Sequence, residues 1–367
     1  MKVLVVGGGV IGCAIARELA GSGCRVTLLE KSRIGAEASS AAAGILCAQL
    51  EAESPSPLLT LGLDAFSVFR EFAEGLQQET GIDPELDRGG VLVPNMTRED
   101  VTDAERFYRW QSEAGFPVEF LSPKEVAGLE ENLSNALLGG VFFPHSGRVD
   151  PIALTRALAA SARRRGVQIR EGCPVASLTS AGERVTGVEL SGGESLQGDV
   201  TIVASGAWSG ELMKTAVRVF PVRGQMLVFE RHRPPRRHVL VTSRAYLVYR
   251  RDGTVLAGST LERTGFRKGV TPKAVMKLTA SALALDPSLE DADFIGAWSG
   301  LRPGSSDELP LLGPVREGLI AATGHYRNGI LLAPVTAATL ARHLLGGKDL
   351  ADLKAFSPLR VLPVPPA

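Results

Sequence analysis

Apolar positions open the chain as a short continuous run, Val3 to Val6, which breaks at Gly7-Gly8-Gly9-Val10-Ile11-Gly12. A stretch at helical spacing follows and leads to a second run, Val26 to Leu29, closed by Glu30. A continuous apolar run suits a strand buried on both faces, so the pattern predicts strand, glycine turn, helix and parallel strand. Helical spacing recurs from Leu58 to Thr80 and from Asp100 to Gly115. Ser122 before Pro123 pairs an N-cap with proline at the first helical position, and Asp150-Pro151-Ile152 opens a helix that should run to Arg165 and end at Gly166. Strands are predicted at Gly89 to Pro94, Gly139 to Phe143, Val167 to Arg170 and Asp199 to Trp208, with a small antiparallel meander around Val185 to Leu190. Four more, Gln225 to Glu230, Val239 to Thr242, Ala245 to Tyr249 and Thr254 to Ser259, predict a mixed or antiparallel sheet, followed by a helix from Pro272 to Leu283. Gly318 to Gly324 and Gly329 to Leu345 read as a last strand and helix that return to the first unit.

The first thirty residues carry chemistry as well as fold. In such a unit Gly7 permits the tight turn, Gly9 lets backbone N–H groups approach a pyrophosphate, and Gly12 lets helix and strand pack closely. The helix N-terminus stabilises the anion without a basic side chain. Glu30 can accept both hydroxyls of an adenosine ribose and would repel a 2′-phosphate, which disfavours NADP. Lys2 before an apolar run raises the rival reading of a signal peptide, but three consecutive glycines and then Arg17 and Glu18 break that run. The motif alone leaves FAD and NAD both open. From Ser40 to Gly44 the side chains are minimal, which suits a loop and helix start lying against a flat ligand, with Ser39 and Ser40 offering hydroxyls to phosphate; a tightly packed alanine helix is the alternative.

Composition narrows the classes. At 367 residues the chain suggests two closely packed domains of roughly 150–200 residues. Forty basic and forty acidic side chains give no field to gather nucleic acid. Cys13, Cys24, Cys47 and Cys173 show no CxxC spacing, and none of the five histidines has metal-ligand spacing, so neither a disulfide frame nor a metal site is expected. No apolar stretch approaches the length of about eighteen residues that spans a bilayer, and a cytoplasmic location is expected.

Several separated motifs together are similar to one family. They are the amino-terminal glycine turn with Glu30, Ser39-Ser40-Ala41-Ala42-Ala43-Gly44, Ala204-Ser205-Gly206-Ala207-Trp208, Gly300-Leu301-Arg302-Pro303, Leu309-Pro310-Leu311-Leu312-Gly313-Pro314, and Gly324-His325-Tyr326-Arg327-Asn328-Gly329-Ile330-Leu331-Leu332-Ala333-Pro334. In this order the chain resembles the D-amino acid oxidase superfamily of flavoproteins, most closely the glycine oxidases of the thiamine pathway. The resemblance implies an α/β protein: a discontinuous Rossmann-type FAD-binding domain (1–85, 145–217, 310–367) and an α+β substrate domain on an antiparallel or mixed sheet (86–144, 218–309).

It implies non-covalent FAD, since related sarcosine oxidases attach the flavin through a carboxy-terminal cysteine and here none lies beyond Cys173. The implied cofactor residues are Gly7, Gly9, Val10, Ile11, Gly12, Glu30, Lys31, Ser39, Ser40, Ala42, Ala43, Gly44, Ile45, Val175, Ala204, Gly206, Trp208, Arg302, Arg327, Asn328, Gly329, Ile330 and Leu331. Arg302 would hold the substrate carboxylate with Tyr246 as a second donor, and Arg327 would bridge cofactor and substrate regions. Cys47, where close relatives carry glycine, and Leu261 and Ile45, in place of methionine, would change the pocket volume. No side chain serves as acid or base: a small amino acid passes a hydride from Cα to flavin N5, and molecular oxygen takes the electrons to give hydrogen peroxide. A D-amino acid dehydrogenase using a quinone or protein acceptor, or a flavin-binding subunit without turnover, would share these motifs. Relatives commonly form homotetramers, so a homo-oligomer is expected.

Overall fold

The computed structural model describes every residue except 132, 215–217, 233–235, 348–352 and 361–367. Its first sheet has six strands in the order Leu311–Arg316, Leu319–Thr323, Val200–Val203, Lys2–Val6, Arg25–Leu29 and Gln168–Arg170. All pair in parallel except Leu311–Arg316, which runs antiparallel to Leu319–Thr323. Val5 lies between Leu28 and Ile202, so the first strand is central. Its side chains alternate between two cores. Val3 and Val5 pack among the helices Val10–Gly21, Pro57–Thr80, Pro151–Arg164 and Gly329–Leu344, whereas Leu4 and Val6 pack against Val188 and Leu190 of the meander Val175–Ala181, Arg184–Leu190, Ser195–Gln197. That two-sided burial is why the run is apolar without alternation.

The second sheet has eight strands in the order Asp293–Gly304, Phe220–Glu230, Thr254–Gly258, Tyr246–Tyr249, Val239–Val241, Val91–Pro94, Gly140–Phe143 and Glu119–Leu121. Only the Val239–Val241 and Val91–Pro94 pair is parallel. On one face Leu227, Leu247 and Ala257 pack against Leu278 and Ala282 of the helix Pro272–Leu285. The other face carries Met226, Val248 and Leu256 and turns toward the first sheet's loops.

Four helices begin alike, with a capping side chain followed by proline: Ser56-Pro57, Ser122-Pro123, Asp150-Pro151 and Thr271-Pro272. Each cap accepts a backbone N–H that has no partner within the helix, and proline has no N–H to leave unpaired. Two sequence expectations shift, and one strand escapes the pattern. The helix expected from Asp100 begins at Arg98, because Thr97 and Asp100 form a reciprocal capping box. The strand expected to run to Trp208 stops at Val203, since Ala204–Trp208 turns away through a short 3₁₀ segment, Gly206–Trp208. The twelve-residue strand Asp293–Gly304, whose face mixes Phe294, Trp298 and Arg302, has no clean alternation and is not evident from pattern.

A buried polar cluster pins the second sheet to its flanking segments. Arg236 donates to both oxygens of Asp286, through Nε at 2.9 Å and Nη2 at 2.7 Å, and Nη1 reaches Glu130 at 3.3 Å. Tyr249 Oη donates to Asp286 at 2.7 Å, and His238 donates its backbone N–H to Glu130 at 2.9 Å. Burial pushes the Asp286 carboxyl up, but bonds from Arg236, Ser288 and Tyr249 outweigh it and hold the pKa at about 2.

Candidate active site

The glycine turn is built as its spacing requires. Gly7 has φ +113, and a Cβ there would lie 2.4 Å from the Ala204 carbonyl oxygen. A Cβ on Gly12 would lie 1.9 Å from the Gly7 carbonyl oxygen, so helix and turn can approach only with glycine at this position. The N–H of Val10, at the start of the helix, donates to Ser39 Oγ at 2.9 Å, which brings the small-residue segment against the turn. Glu30 is buried at the tip of the second strand. Its Oε2 accepts from the Gly8 N–H at 2.7 Å and its Oε1 from the Ser32 N–H at 2.9 Å. Those bonds fix the carboxylate and leave lone pairs for a ribose.

From this turn a cavity of about 600 Å³ runs between the two sheets. Gly7, Gly9, Val10, Ile11, Glu30, Lys31, Ser39, Ala42, Ala43, Gly44, Ile45, Val175, Ala204, Gly206, Trp208, Asn328, Gly329 and Ile330 all line it, as do Cys47, Tyr246, Leu261, Arg302 and Arg327. Three residues expected at the cofactor do not line it. Gly12 lies behind the turn, Ser40 Oγ turns inward to donate to the Gly35 carbonyl, and Leu331 points into the helical core. Leu261 sits at the rim, 55% exposed.

At the far end the floor is the second sheet, kept flat by two glycines. Gly224 and Gly258 carry no side chain where the Arg302 guanidinium and the Tyr246 phenol lie. A Cβ on Gly224 would be 2.2 Å from Arg302 Nη1, and one on Gly258 would be 2.7 Å from Tyr246 Oη. Register explains the convergence: Arg302 stands opposite Val222, and Met226, Gly258 and Tyr246 form one row across three strands. Arg302 donates through Nη2 to Ser259 Oγ at 2.5 Å and through Nη1 to the Thr260 carbonyl at 3.2 Å. Among the described residues no carboxylate pairs with it. The Tyr246 hydroxyl donates to Met226 Sδ at 3.0 Å, a weak acceptor that an oxyanion would displace.

Arg327 is differently placed. Its Nη2 lies 2.6 Å from Glu51, a cavity-lining carboxylate that the sequence motifs do not reveal. Burial raises the Glu51 pKa, while Arg327 pulls it down. Cys47 accepts from Ser146 Oγ at 3.1 Å, and burial pushes its thiol up to about 11, so it stays protonated and is no nucleophile near neutrality.

His325 also lines the cavity, 3% exposed, with Nε2 3.1 Å from Thr336 Oγ1. Burial lowers its pKa to about 3 from the usual 6.5, so it is neutral at any working pH. Below about pH 6.5 the unfolded chain gains a proton here that the folded chain refuses until about pH 3. The unfolded state therefore binds more protons in that window, and stability falls as pH falls through it. Between about pH 7 and pH 5 this residue should cost the apoprotein about 2 kcal/mol. Denaturant unfolding of wild type and His325→Gln at the two pH values should show that slope reduced in the variant; equal slopes would place the proton elsewhere.

A strand, glycine turn and helix with an acid at the second strand tip, opening on a long cleft that ends at a sheet bearing an arginine with no carboxylate partner among the described residues, define a flavoprotein oxidoreductase. The cleft fits FAD: glycines stand where side chains would collide with the turn, and two helix starts, at Val10 and Gly329, line it. The chain belongs to the DAO family of FAD dependent oxidoreductases, whose profile matches residues 2–343. It is 37% identical over 363 residues to the glycine oxidase of Geobacillus kaustophilus, covering 97% of this chain and 96% of that protein. It is 38% identical to the bifunctional protein ThiO/ThiG of a Synechocystis species, covering 98% of this chain and 54% of that protein. The crystal structure of glycine oxidase from Geobacillus kaustophilus matches with a TM-score of 0.94 at 35% identity, over 99% of this chain and 100% of that one. The protein is thus an FAD-dependent oxidoreductase of amines or amino acids, which closes the NAD alternative. Among the described residues no helix is long and apolar enough to cross a membrane.

Proposed function

We propose that the protein oxidises glycine and other small amino acids with molecular oxygen as electron acceptor. The observation that carries this reading is the Arg302 guanidinium, laid over Gly224 on the cavity floor with two donors used and no carboxylate partner among the described residues. A guanidinium is a planar fork that stays charged, and a substrate carboxylate completes it bidentately. Tyr246 adds a second donor once its hydroxyl leaves Met226. The substrate α-carbon is thereby fixed by its carboxylate, and positioning supplies most of the rate. Bound FAD supplies the hydride acceptor. Arg327 lines the same cavity with its charge already partnered by Glu51, which leaves Arg302 for the carboxylate. His325 is neutral and brings no charge to the site. Ile45 and Cys47 take up space in the cavity and Leu261 stands at its rim, which favours small side chains.

The division into a cofactor unit (1–85, 145–217, 310–367) and a substrate unit (86–144, 218–309) is part of this reading, as is non-covalent FAD. The balanced reaction is glycine, oxygen and water giving glyoxylate, ammonia and hydrogen peroxide. The likeness to proteins named ThiO/ThiG supports a place in thiazole formation, where the imino acid would be used before it hydrolyses. Under air, oxygen consumed and peroxide formed should match glyoxylate one for one. Turnover only with an added quinone would instead make it a dehydrogenase.

Gly224 gives a test that spares the fold. In Gly224→Ala the three atoms nearest the new methyl all belong to the far end of the flexible Arg302 side chain, so the guanidinium swings aside. A displacement of about 1 Å at a positioning group can cost as much as about a hundredfold, so kcat/KM for glycine should fall at least about tenfold while the unfolding midpoint barely moves. Unchanged kcat/KM would mean that the guanidinium is not used where it lies.

A further inference from the structure

At the end of the cavity that holds Glu30, a segment of the second sheet crosses to the first. The strand Thr254–Gly258 is followed by residues 262–271, whose two ends are both fastened to Phe220–Glu230. Glu262 accepts from Arg223 Nε at 2.7 Å and from Gln225 Nε2 at 2.9 Å. At the other end Arg223 Nη1 donates to the Gly269 carbonyl at 2.9 Å, and the Thr271 N–H donates to Gln225 Oε1 at 2.7 Å. Arg223 and Gln225 are 4% and 0% exposed, so these ends are fixed.

The tip between them is held differently, by a closed circuit of weak contacts across the cleft. Lys268 Nζ lies 2.8 Å from Glu37 Oε2, and Glu37 Oε1 lies 3.2 Å from Lys31 Nζ. Lys31 Nζ in turn sits 3.2 Å from the centre of the Trp208 ring, and Trp208 packs on Phe266 with ring centres 5.4 Å apart. Phe266 and Lys268 belong to the crossing tip, whereas Lys31, Glu37 and Trp208 line the cofactor cleft. All these side chains keep partial access to solvent; those of Lys268 and Glu37 are 46% and 24% exposed. Half-exposed ion pairs and one tilted ring pair are each weak, whereas the Lys268 carbonyl accepts from Ser299 Oγ, so the side chains of Phe266 and Lys268 can swing clear of the cleft while the backbone at Lys268 and the two ends stay fixed.

We propose that residues 262–271 form a strap that retains FAD, with Phe266 and Lys268 as positioning residues that hold Trp208, Glu37 and Lys31 closed over the cofactor. The strap controls how fast FAD leaves and takes no part in substrate chemistry. It rests on FAD binding alone, so it stands or falls apart from the choice of substrate.

The experiment follows FAD release from holoenzyme after dilution, by the rise in free flavin fluorescence, alongside thermal unfolding of each apoprotein. The proteins compared are wild type, Lys268→Met, Phe266→Ala and the double variant. The double variant should release FAD about fivefold to thirtyfold faster than wild type, with each single variant between them and the apoprotein Tm unchanged. Raising salt should speed release from wild type toward the Lys268→Met rate and move that variant less, because one of the two screened ion pairs, Lys268 with Glu37, is already gone and only Lys31 with Glu37 remains. Release at the wild-type rate in every variant would overturn the strap. So would faster release with a parallel fall in apoprotein Tm, or an equal salt response in wild type and Lys268→Met. If the double variant does not fold, Lys268→Met, which alters a half-exposed side chain, carries the comparison.

Discussion

Replacing Arg302 by alanine is expected to lower kcat/KM for glycine by roughly 30-fold to several thousand-fold while leaving FAD bound. The range follows from truncating a buried, hydrogen-bonded charge pair, which costs about 2–5 kcal/mol. In the variant the substrate carboxylate faces Tyr246 alone, a neutral donor. Arg302→Lys should recover only part of the loss, since an ammonium cannot span both carboxylate oxygens as the guanidinium does. Tyr246→Phe should be milder, because it removes one neutral bond and leaves Met226 with an ordinary apolar neighbour. A simple alkylamine has no carboxylate, so its turnover, however slow, should be nearly the same in wild type and Arg302→Ala. Equal losses on both substrates would make Arg302 a support for the sheet, through Ser259 and Thr260, and not a substrate anchor.

Arg236→Met is expected to destabilise the protein by about 3–5 kcal/mol without touching the cavity, because it removes the guanidinium that pairs with two buried carboxylates and leaves them only their bonds to Tyr249, Ser288 and His238. Asp286 is 0% and Glu130 5% exposed, and both depend on this guanidinium. The pH dependence identifies the mechanism. In wild type the Asp286 pKa is depressed to about 2, so its contribution is present above the unfolded value near 3.8 and is lost as pH falls toward 2. Without Arg236, burial dominates and raises the Asp286 pKa, so the folded variant takes up a proton more readily than its unfolded chain. The deficit of the variant should therefore shrink as pH is lowered from neutrality. Chemical unfolding at two pH values measures it. A deficit below about 1 kcal/mol, or one that is constant with pH, would show that the cluster does not hold the sheet in this way.

What the sequence reveals divides along physical lines. The first strand, the glycine turn and Glu30 are legible because each demand falls on consecutive residues: two-sided burial makes Val3–Val6 uniformly apolar, and close approach admits only glycine at positions 7 and 12. Caps at Ser122 and Asp150 are legible for the same reason, since cap and proline are adjacent. The cavity floor is not. Gly224, Gly258, Met226 and Ser259 matter through cross-strand register, and register is a relation between distant segments that no local pattern records. Arg302 could be singled out only through the family motif around it, because its strand shows no clean alternation. Glu51 went unnoticed since its partner, Arg327, lies far along the chain. Ser40 illustrates the opposite error: a hydroxyl placed correctly in the backbone but turned inward to Gly35, a rotamer that sequence cannot specify.

The reductive half-reaction tests the central claim most directly. Holoenzyme mixed with glycine in the absence of oxygen should lose its oxidised flavin absorbance in a single turnover, and admitting oxygen should restore the absorbance with one peroxide per flavin. An oxidised flavin that persists with glycine, sarcosine and small D-amino acids alike, or a reduced flavin that oxygen fails to reoxidise, would contradict the assignment as a small amino acid oxidase.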